Sequence, residues 1–245
     1  MSVASTAGVS LGQVIEYVNQ LGGGAPRTGA APGAAAAAVW CLDTTLDVVG
    51  GHPVDAAAAV LDAAERERAG KLLRPADRQR YLASHLGLRV LLGGYLGLAP
   101  REVVLVREDC PCCGGPHGRP AVAGGGVHFS LSHSGNSAYL AFAGVPVGVD
   151  VEEMPGAAAV ADVLPLLHPA ETAELGALSA QDRRPALARV WARKEACLKA
   201  VGTGLANGLT DPYVGSAPTP AAVPGWTLTD LPSPAGYAAA LAVRS

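Results

Sequence analysis

The sequence lacks three features that would assign a class of partner at once. Lys and Arg total 18 against 21 Asp and Glu, so the net charge of −3 provides no general attraction to nucleic acid. No apolar run reaches the roughly 20 residues of a membrane span. The N-terminus has neither a basic start nor a hydrophobic signal core. We therefore expect a cytoplasmic protein without a nucleic-acid or membrane partner, in which local Arg and Lys residues would bind any phosphate.

Cysteine is also scarce, with five residues in a chain of 245, but three of them are close together. Cys110, Cys112, Cys113 and His117 form a C-x-C-C-x₃-H pattern, in which only Cys110 and Cys113 have the C-x₂-C spacing of common zinc sites. Two interpretations stay open: a zinc site, or a turn whose thiols remain reduced in the cytosol. Cys197 is predicted to be a small core residue.

The N-terminal stretch has its own pattern. Ser10 and Gln13 form a capping box, and apolar residues spaced along 11–21 predict a short helix that ends at the glycines of 22–24. Glycine, proline and alanine dominate residues 22–38, which favours a flexible linker. We therefore predict that residues 1–38 are an N-terminal helix and linker.

Beyond residue 38, the hydrophobic pattern predicts an α+β chain in two halves, a first lobe over 39–146 and a second over 147–245. With 49% hydrophobic residues, the chain can bury a sizeable core. Alternation and turn residues predict most of the strands, and apolar spacing of three and four predicts the helices. The predicted strands are 39–42, 103–106, 127–131, one starting near 147, 226–231 and 237–243, and the predicted helices are 56–73, 75–96, 157–167, 169–178 and 185–200.

The segment GVDVE at residues 148–152 places two carboxylates in an apolar run. On a strand, Asp150 and Glu152 project from one face, while Val149 and Val151 project from the other. The two acids therefore converge on one point. The alternative is that they lie on an ordinary solvated face of a strand.

The segment WARKEACLK at residues 191–199 adds a third acid and a cation. It has no Gly or Pro, so Glu195 and Lys199 lie one turn apart on one face of a helix, where they could also be a simple surface ion pair. Carboxylate oxygens suit Mg²⁺, which completes its shell with waters and substrate phosphates. The two segments together predict a metal site that acts on a phosphate compound.

Three stretches resemble one known family. FSLSHSGNSAYLAFAGVPVGVDVE at 129–152 and WARKEACLKAVGTGL at 191–205 resemble the two signature regions of the 4′-phosphopantetheinyl transferases of the Sfp (surfactin-type) class. GRP at 118–120 is similar to a Gly-basic-Pro motif that precedes the SHS strand in that family. The resemblance runs from about residue 40 to the C-terminus, and it is specific because the motifs recur in order.

The resemblance implies a fold, a reaction and partners. The fold would be α+β, a pseudo-twofold arrangement of two similar α/β lobes with coenzyme A in the cleft between them. The reaction would be Mg²⁺-dependent transfer of 4′-phosphopantetheine from coenzyme A to a serine of an apo acyl or peptidyl carrier protein, releasing adenosine 3′,5′-bisphosphate. We expect a monomer serving polyketide or nonribosomal peptide synthesis in secondary metabolism. A non-catalytic carrier-binding relative of the same fold is the alternative.

The resemblance also implies roles for the acidic motifs. Asp150, Glu152 and Glu195 would hold Mg²⁺ against the pyrophosphate of coenzyme A, and Lys199 would contact a phosphate oxygen. Glu195 is the preferred base for the serine hydroxyl. His133 is the competing candidate for that role.

The remaining implied contacts bind coenzyme A. Ser132 and His133 of the SHS motif match family residues that contact its phosphates, and Arg119 of GRP occupies the basic position beside the 3′-phosphate. Arg80 and Arg68 fall where the family has basic residues at the nucleotide end. Such side chains form charge-assisted hydrogen bonds with phosphate oxygens.

Overall fold

The computed structural model describes residues 18–33, 36–204 and 208–245 of the chain. Within these residues the strands are β1 (Val18–Leu21), β2 (Ala37–Asp43), β3 (Val48–Val49), β4 (His52–Pro53), β5 (Leu105–Arg107), β6 (Pro120–Val122), β7 (His128–Ser134), β8 (Ser137–Ala143), β9 (Val147–Glu153), β10 (Trp226–Leu231) and β11 (Tyr237–Arg244). The helices are α1 (Ala63–Gly70), α2 (Pro75–Leu96), α3 (Ala157–Val163), α4 (Pro169–Ala177) and α5 (Ala180–Val201), with 3₁₀ turns at Ala57–Ala59, Pro100–Glu102 and Leu164–Leu166.

The first lobe is a four-stranded sheet in the order β1-β2-β8-β7, packed against α2. Helix α2 begins at Pro75, whose fixed φ suits the first helical turn, and ends where Gly97 takes a left-handed conformation with φ 67°. Its fully buried residues include Leu86 and Leu91, which join the core with Leu140 of the sheet. Burial of this apolar face fixes the helix on the sheet.

The second lobe repeats this arrangement with a three-stranded sheet in the order β10-β11-β9 and the helix α5. Ser179 caps the helix by accepting a hydrogen bond from the backbone N–H of Asp182, and Gly202 ends it with φ 89°. The contact between α5 and β9 is very close at Gly148. A Cβ atom there would collide with the carbonyl oxygen of Ala196, so only glycine allows this approach.

The two sheets pack against each other through the faces that the long helices leave uncovered. Val39, Tyr139 and Ala141 of the first sheet meet Val149 and Leu241 of the second in a separate buried cluster. Each lobe therefore consists of a sheet and a 22-residue helix, with the sheets at the centre. The predicted fold class, a mixed α/β protein with two similar lobes, is confirmed.

The predicted N-terminal helix is wrong for the part that the structure describes. Val18–Leu21 is a strand that pairs in parallel with β2, with Leu21 opposite Leu42, while the earlier positions of the predicted helix lie outside the described residues. Leu21 is 1% exposed in the core beneath α2. The strand has four residues, which are too few for periodicity to distinguish a strand from a helix.

Part of the predicted linker is also bound to the first lobe. The carbonyls of Gly22 and Gly23 accept hydrogen bonds of 2.9 Å from the backbone N–H groups of Gly50 and Gly51. The last residues of the predicted linker belong to β2. The first lobe therefore includes chain from before residue 39.

Most other predicted elements are confirmed with small shifts in their ends. The predicted helix at 56–73 is divided into a 3₁₀ turn and α1, because Asp62 and Glu65 form a capping box that starts a new helix. The predicted helix at 157–167 likewise ends as α3 and continues as a 3₁₀ turn. No helix in the described part of the chain is both long and apolar enough to cross a membrane.

Candidate active site

The residues of the candidate active site meet where β7 and β9 lie side by side near the C-terminal end of α5. Asp150 on β9 is 1% exposed. Its Oδ1 atom accepts a hydrogen bond of 2.7 Å from Ser132 Oγ on β7 and one of 2.6 Å from Lys199 Nζ on α5. Lys199 also donates to Ser132 Oγ at 2.8 Å. Three elements from two lobes thus contribute to one polar cluster.

The second oxygen of Asp150 lacks a partner. Asp150 Oδ2 is buried and accepts no hydrogen bond from any described residue. Burial raises the pKa of the Asp150 carboxyl, and Lys199 opposes that shift. An unsatisfied buried carboxylate oxygen costs about 1–3 kcal/mol unless it binds a proton or a cation.

Two more acids increase the negative charge of the cluster. Burial and the neighbouring Asp150 raise the pKa of Glu152 to about 7, although Ser134 Oγ donates to its Oε2 atom at 3.3 Å. Burial and Asp150 also raise the pKa of Glu195. Repulsion among the three carboxylates is only partly offset by Lys199. The burial of Asp150 and its ion pair with Lys199 do not fit a solvated face of a strand.

The cluster fits a hard divalent cation. Its donors are carboxylate oxygens, one of which is buried without a partner, and added positive charge would relieve their repulsion. Their oxygen atoms do not form a closed cage: in the described residues, the group of three ligand atoms all within 4.8 Å of one another is Cys110, Cys113 and His117. An open set of carboxylates suits Mg²⁺, which keeps several waters or substrate oxygens in its shell.

A cleft of about 820 Å³ opens beside the cluster, and both lobes line it. The second lobe contributes Lys199 and the residues that follow α5, while the first lobe contributes residues of α1, α2 and the β5–β6 hairpin. Polar side chains on its walls are Asp62, Glu65, Arg68, Tyr81, His85, Arg107, His117, Arg119, Ser130, Lys199 and Thr203.

Arg119, which is predicted to bind phosphate, lines this cleft and already contacts two other groups of the protein. Its Nε atom is 2.7 Å from Glu108 Oε2, and its Nη1 atom donates to the carbonyl of Ala200 at 2.8 Å. The second contact satisfies a carbonyl of the last turn of α5 and crosses from one lobe to the other. Arg119 therefore also positions the helix end that carries Lys199.

The other predicted phosphate ligands lie partly apart from the acids. His133 and Arg80 line a neighbouring cavity of about 320 Å³, and Arg68 lines both cavities. Desolvation, together with His85 and Lys199, lowers the pKa of His133, so its ring is neutral at pH 7. Along β7, His133 alternates with Ser132, which contacts Asp150.

A further group of residues on the cleft was not predicted from the sequence. Arg89 is 1% exposed, and its guanidinium contacts Glu65 Oε2 at 2.6 Å and Asp62 Oδ2 at 2.8 Å. The other oxygen of Glu65 is 2.9 Å from His85 Nδ1, and the His85 ring stacks on Tyr81 with 4.0 Å between centroids. The capping box at Asp62 and the spacing of four between His85 and Arg89 were the available signals.

Known proteins with similar sequences carry one kind of name. Residues 146–242 match the family described as the 4′-phosphopantetheinyl transferase superfamily. The chain is 33% identical over 192 residues to the 4′-phosphopantetheinyl transferase HetI of Nostoc sp., covering 76% of this chain and 79% of that protein.

Two other relatives have corresponding names. A phosphopantetheinyl transferase of Thraustochytrium sp. is 33% identical over 197 residues, covering 71% of this chain and 64% of its own. A 4′-phosphopantetheinyl transferase of Bacillus subtilis is 27% identical over 149 residues, 60% of this chain and 62% of its own. The fold agrees with that family, whose members are named as transferase enzymes. The chain belongs to the 4′-phosphopantetheinyl transferase superfamily.

Proposed function

We propose that the protein transfers the 4′-phosphopantetheine group of coenzyme A to a serine of an apo carrier protein and releases adenosine 3′,5′-bisphosphate. The observation that carries this proposal is the cluster of Asp150, Glu152, Glu195 and Lys199, whose lysine lines a cleft between the two lobes. Transfer to a serine oxygen at phosphorus mainly requires positioning and neutralisation of charge. This cluster offers both.

Asp150, Glu152 and Glu195 would hold Mg²⁺, and the unpartnered Oδ2 of Asp150 supports that assignment. When bound, Mg²⁺ neutralises charge on phosphate oxygens and orients them. Lys199, whose side chain is 30% exposed, contacts Asp150 on one side and is open to the cleft on the other. It would bind a phosphate oxygen of coenzyme A directly.

The cations farther along the cleft would bind the nucleotide end of coenzyme A. Arg68 lines the large cleft and the adjoining cavity, so its guanidinium can reach a phosphate in either. Arg119 also lines the large cleft, while Arg80 and His133 line the adjoining cavity. A neutral His133 donates or accepts a hydrogen bond without adding charge.

Glu195 would accept the proton of the attacking serine. The serine oxygen forms a bond to the phosphorus that bears the pantetheine arm, and the bond from that phosphorus to the bridging oxygen breaks. The electron pair leaves with adenosine 3′,5′-bisphosphate, and the serine proton moves to the Glu195 carboxylate. A partly buried carboxylate beside Asp150 is a stronger base than one in water, which supports this role. His133 remains the second candidate.

We assign the protein to the Sfp (surfactin-type) class, with carriers of polyketide or nonribosomal peptide synthesis as its partners. The SHS and GRP motifs and the pair of lobes in one chain support that assignment. One chain supplies both cleft walls, which supports a monomer with lobes at 39–146 and 147–245, the first extended by β1. We place the protein in the cytoplasm, where thiols stay reduced.

The test is the mass of a carrier protein after incubation with the enzyme. With coenzyme A and Mg²⁺, an apo peptidyl or acyl carrier should gain about 340 Da, the mass of the phosphopantetheine group. EDTA should prevent the gain, and a carrier with alanine at the acceptor serine is the matched control. A panel of carriers that all stay unmodified while still binding the protein would indicate a non-catalytic relative and contradict the proposal.

A further inference from the structure

The loop between β5 and β6 brings together three soft metal ligands that the proposed reaction does not use. Cys110 Sγ, Cys113 Sγ and one ring nitrogen of His117 all lie within 4.8 Å of one another. Cys113 Sγ is 3.0 Å from His117 Nε2. Tetrahedral zinc with Zn–S near 2.3 Å and Zn–N near 2.0 Å separates such ligands by roughly 3.5 Å, so a small movement would admit the ion.

We propose that Cys110, Cys113 and His117 bind a zinc ion that fixes this loop. The ligands are two thiols and an imidazole, the donors that zinc prefers, and the Cys110–Cys113 spacing is that of a zinc turn. Mg²⁺ requires oxygen ligands, so this site and the acidic cluster would select different metals. Of the two interpretations that the sequence left open, the structure favours the metal.

The backbone around the ligands is shaped for such a turn. Cys110 N–H donates to the carbonyl of Gly115 at 2.7 Å, and Gly114 N–H donates back to the carbonyl of Cys110 at 2.7 Å. Gly114 has φ 70°, a left-handed conformation that lets the chain reverse after Cys113. A Cβ at Gly115 would lie 3.1 Å from His117 Nε2 and 3.5 Å from Cys113 Sγ. A side chain there would therefore crowd the ligands.

The zinc site would connect directly to the cleft. His117 lines the cleft, as do the next two residues, Gly118 and Arg119. Gly118 N–H donates to the carbonyl of Glu108 at 2.9 Å, and Glu108 N–H donates to the carbonyl of Arg119 at 3.0 Å. A metal that closes the loop at 110–117 would hold these strand ends together. Its role is structural, since it sets the position of the Arg119 guanidinium.

The experiment measures metal content in the purified full-length protein. Wild-type protein expressed with added zinc and dialysed against zinc-free buffer should retain about one zinc per chain, held by the three protein ligands with water in the fourth tetrahedral position. Cobalt substitution should give thiolate-to-cobalt charge-transfer bands and the intense visible bands of tetrahedral cobalt. Cys110→Ser and His117→Ala should each weaken zinc binding more than about 100-fold, since even outer-shell changes cost 10- to 100-fold.

Cys112→Ser is the matched control, because its thiol is on the same turn but outside the three-ligand group. It should retain the zinc and the cobalt spectrum. Circular dichroism shows whether each variant folds. If Cys110→Ser does not fold, Cys113→Ser provides a second variant of a zinc ligand. Equal zinc content in wild type and the ligand variants would overturn the proposal, as would a Cys110–Cys113 disulfide in protein kept under reducing conditions.

A kinetic consequence rests on the proposed function, whereas the metal content does not. In zinc-free Cys110→Ser protein, whose changed residue does not line the cleft, a displaced Arg119 should raise the KM for coenzyme A several-fold and leave kcat near the wild-type value. If a variant loses zinc without a change in KM, the proposal of a zinc site stands, but its effect on the cleft is contradicted. An inactive wild-type protein with one bound zinc would contradict only the proposed function.

Discussion

Lys199 Nζ lies 2.6 Å from Asp150 Oδ1, and this pair joins the end of α5 to the centre of β9. The aspartate is almost completely buried, whereas the lysine side chain is 30% exposed. The lysine therefore neutralises a buried charge without being buried itself. The other carboxylate oxygen of Asp150 accepts no hydrogen bond from the described residues, which supports the proposed metal site.

Replacing Lys199 by Met should lower the free energy of unfolding by about 1–3 kcal/mol, because Asp150 would remain buried without its cation. The exposure of the lysine keeps this cost below that of a fully buried pair. Adding Asp150→Asn should recover part of the loss, since the buried charge is then absent. Urea unfolding in metal-free buffer measures the free energy of unfolding of the single and the double variant. Additive costs in the double variant would show that the two charges are not coupled.

Glu195→Gln and His133→Ala should separate the two candidate bases. Without its base, the Glu195→Gln protein should transfer phosphopantetheine about 100- to 10,000-fold more slowly. Calorimetry should show that it still binds coenzyme A. His133→Ala should mainly weaken coenzyme A binding and leave kcat within a few-fold of wild type. The opposite pattern would assign the proton transfer to His133.

Mg²⁺ should stabilise the protein through the acidic cluster. At about ten times its Kd, a ligand that binds only the folded state adds roughly 1.4 kcal/mol, which raises the Tm by several degrees. Glu152→Gln should reduce this shift. Glu153→Gln is the control, because the Glu153 carboxylate accepts a hydrogen bond from Tyr237 instead of lying beside Asp150. Thermal melts with Mg²⁺ and with EDTA measure this shift in Tm. Equal shifts in Glu152→Gln and Glu153→Gln would exclude Glu152 as a ligand.

Gly148→Ala should disturb both stability and the active site. The added Cβ would meet the carbonyl of Ala196 and lie 2.5 Å from the backbone nitrogen of Ala200, so α5 must move away from β9. We expect a loss of about 1–3 kcal/mol or more in unfolding free energy, and lower kcat because Glu195 moves with the helix. Gly176→Ala is the control, since nothing lies within 4 Å of its Cβ position. A helical alanine there should be neutral or stabilising.

The Glu65 cluster should make stability depend on acid pH. Burial alone would raise the pKa of Glu65, but hydrogen bonds from His85 and the Asp62 amide, with the charge of Arg89, lower it below 4.5. The resulting stabilisation is complete above pH 4.5, the unfolded value, and is lost as pH falls through the folded pKa.

Chemical denaturation between pH 6 and pH 3 should therefore show a loss of stability that Glu65→Gln removes in part. The control is Glu67→Gln on the same helix. The Glu67 side chain is 68% exposed, so water screens its ion pair with Lys71. An unchanged pH dependence in the Glu65 variant would show that this cluster does not determine acid stability.

Local sequence was sufficient to predict the two separate segments of the acidic cluster. The alternation of GVDVE placed Asp150 and Glu152 on one face, and helical spacing placed Glu195 beside Lys199. The family resemblance then predicted that these two segments lie together in the fold. No local sequence pattern could show this contact. The same reasoning correctly predicted α2 and β10 with their observed ends, because proline and apolar spacing mark them clearly.

Contacts between distant segments were not predictable in this way. The pairing of β1 with β2 depends on a parallel partner about 20 residues away, and four residues show too little periodicity to predict it. The ion pairs of Arg89 with Asp62 and Glu65 require α1 to dock on α2. The separation of His133 from the acids follows from the side of β7 on which each residue lies.

The position of β1 has a consequence for the solubility of shortened forms of the protein. Strand β2 carries AAVWCLD, a mostly apolar sequence, and β1 covers the edge that β8 leaves open. A chain cut at residue 38, the boundary that composition alone favours, would leave the N–H and C=O groups of that edge unpaired. Exposed apolar edges recruit strands from other molecules. We therefore expect a chain without the short strand Val18–Leu21 to aggregate more readily.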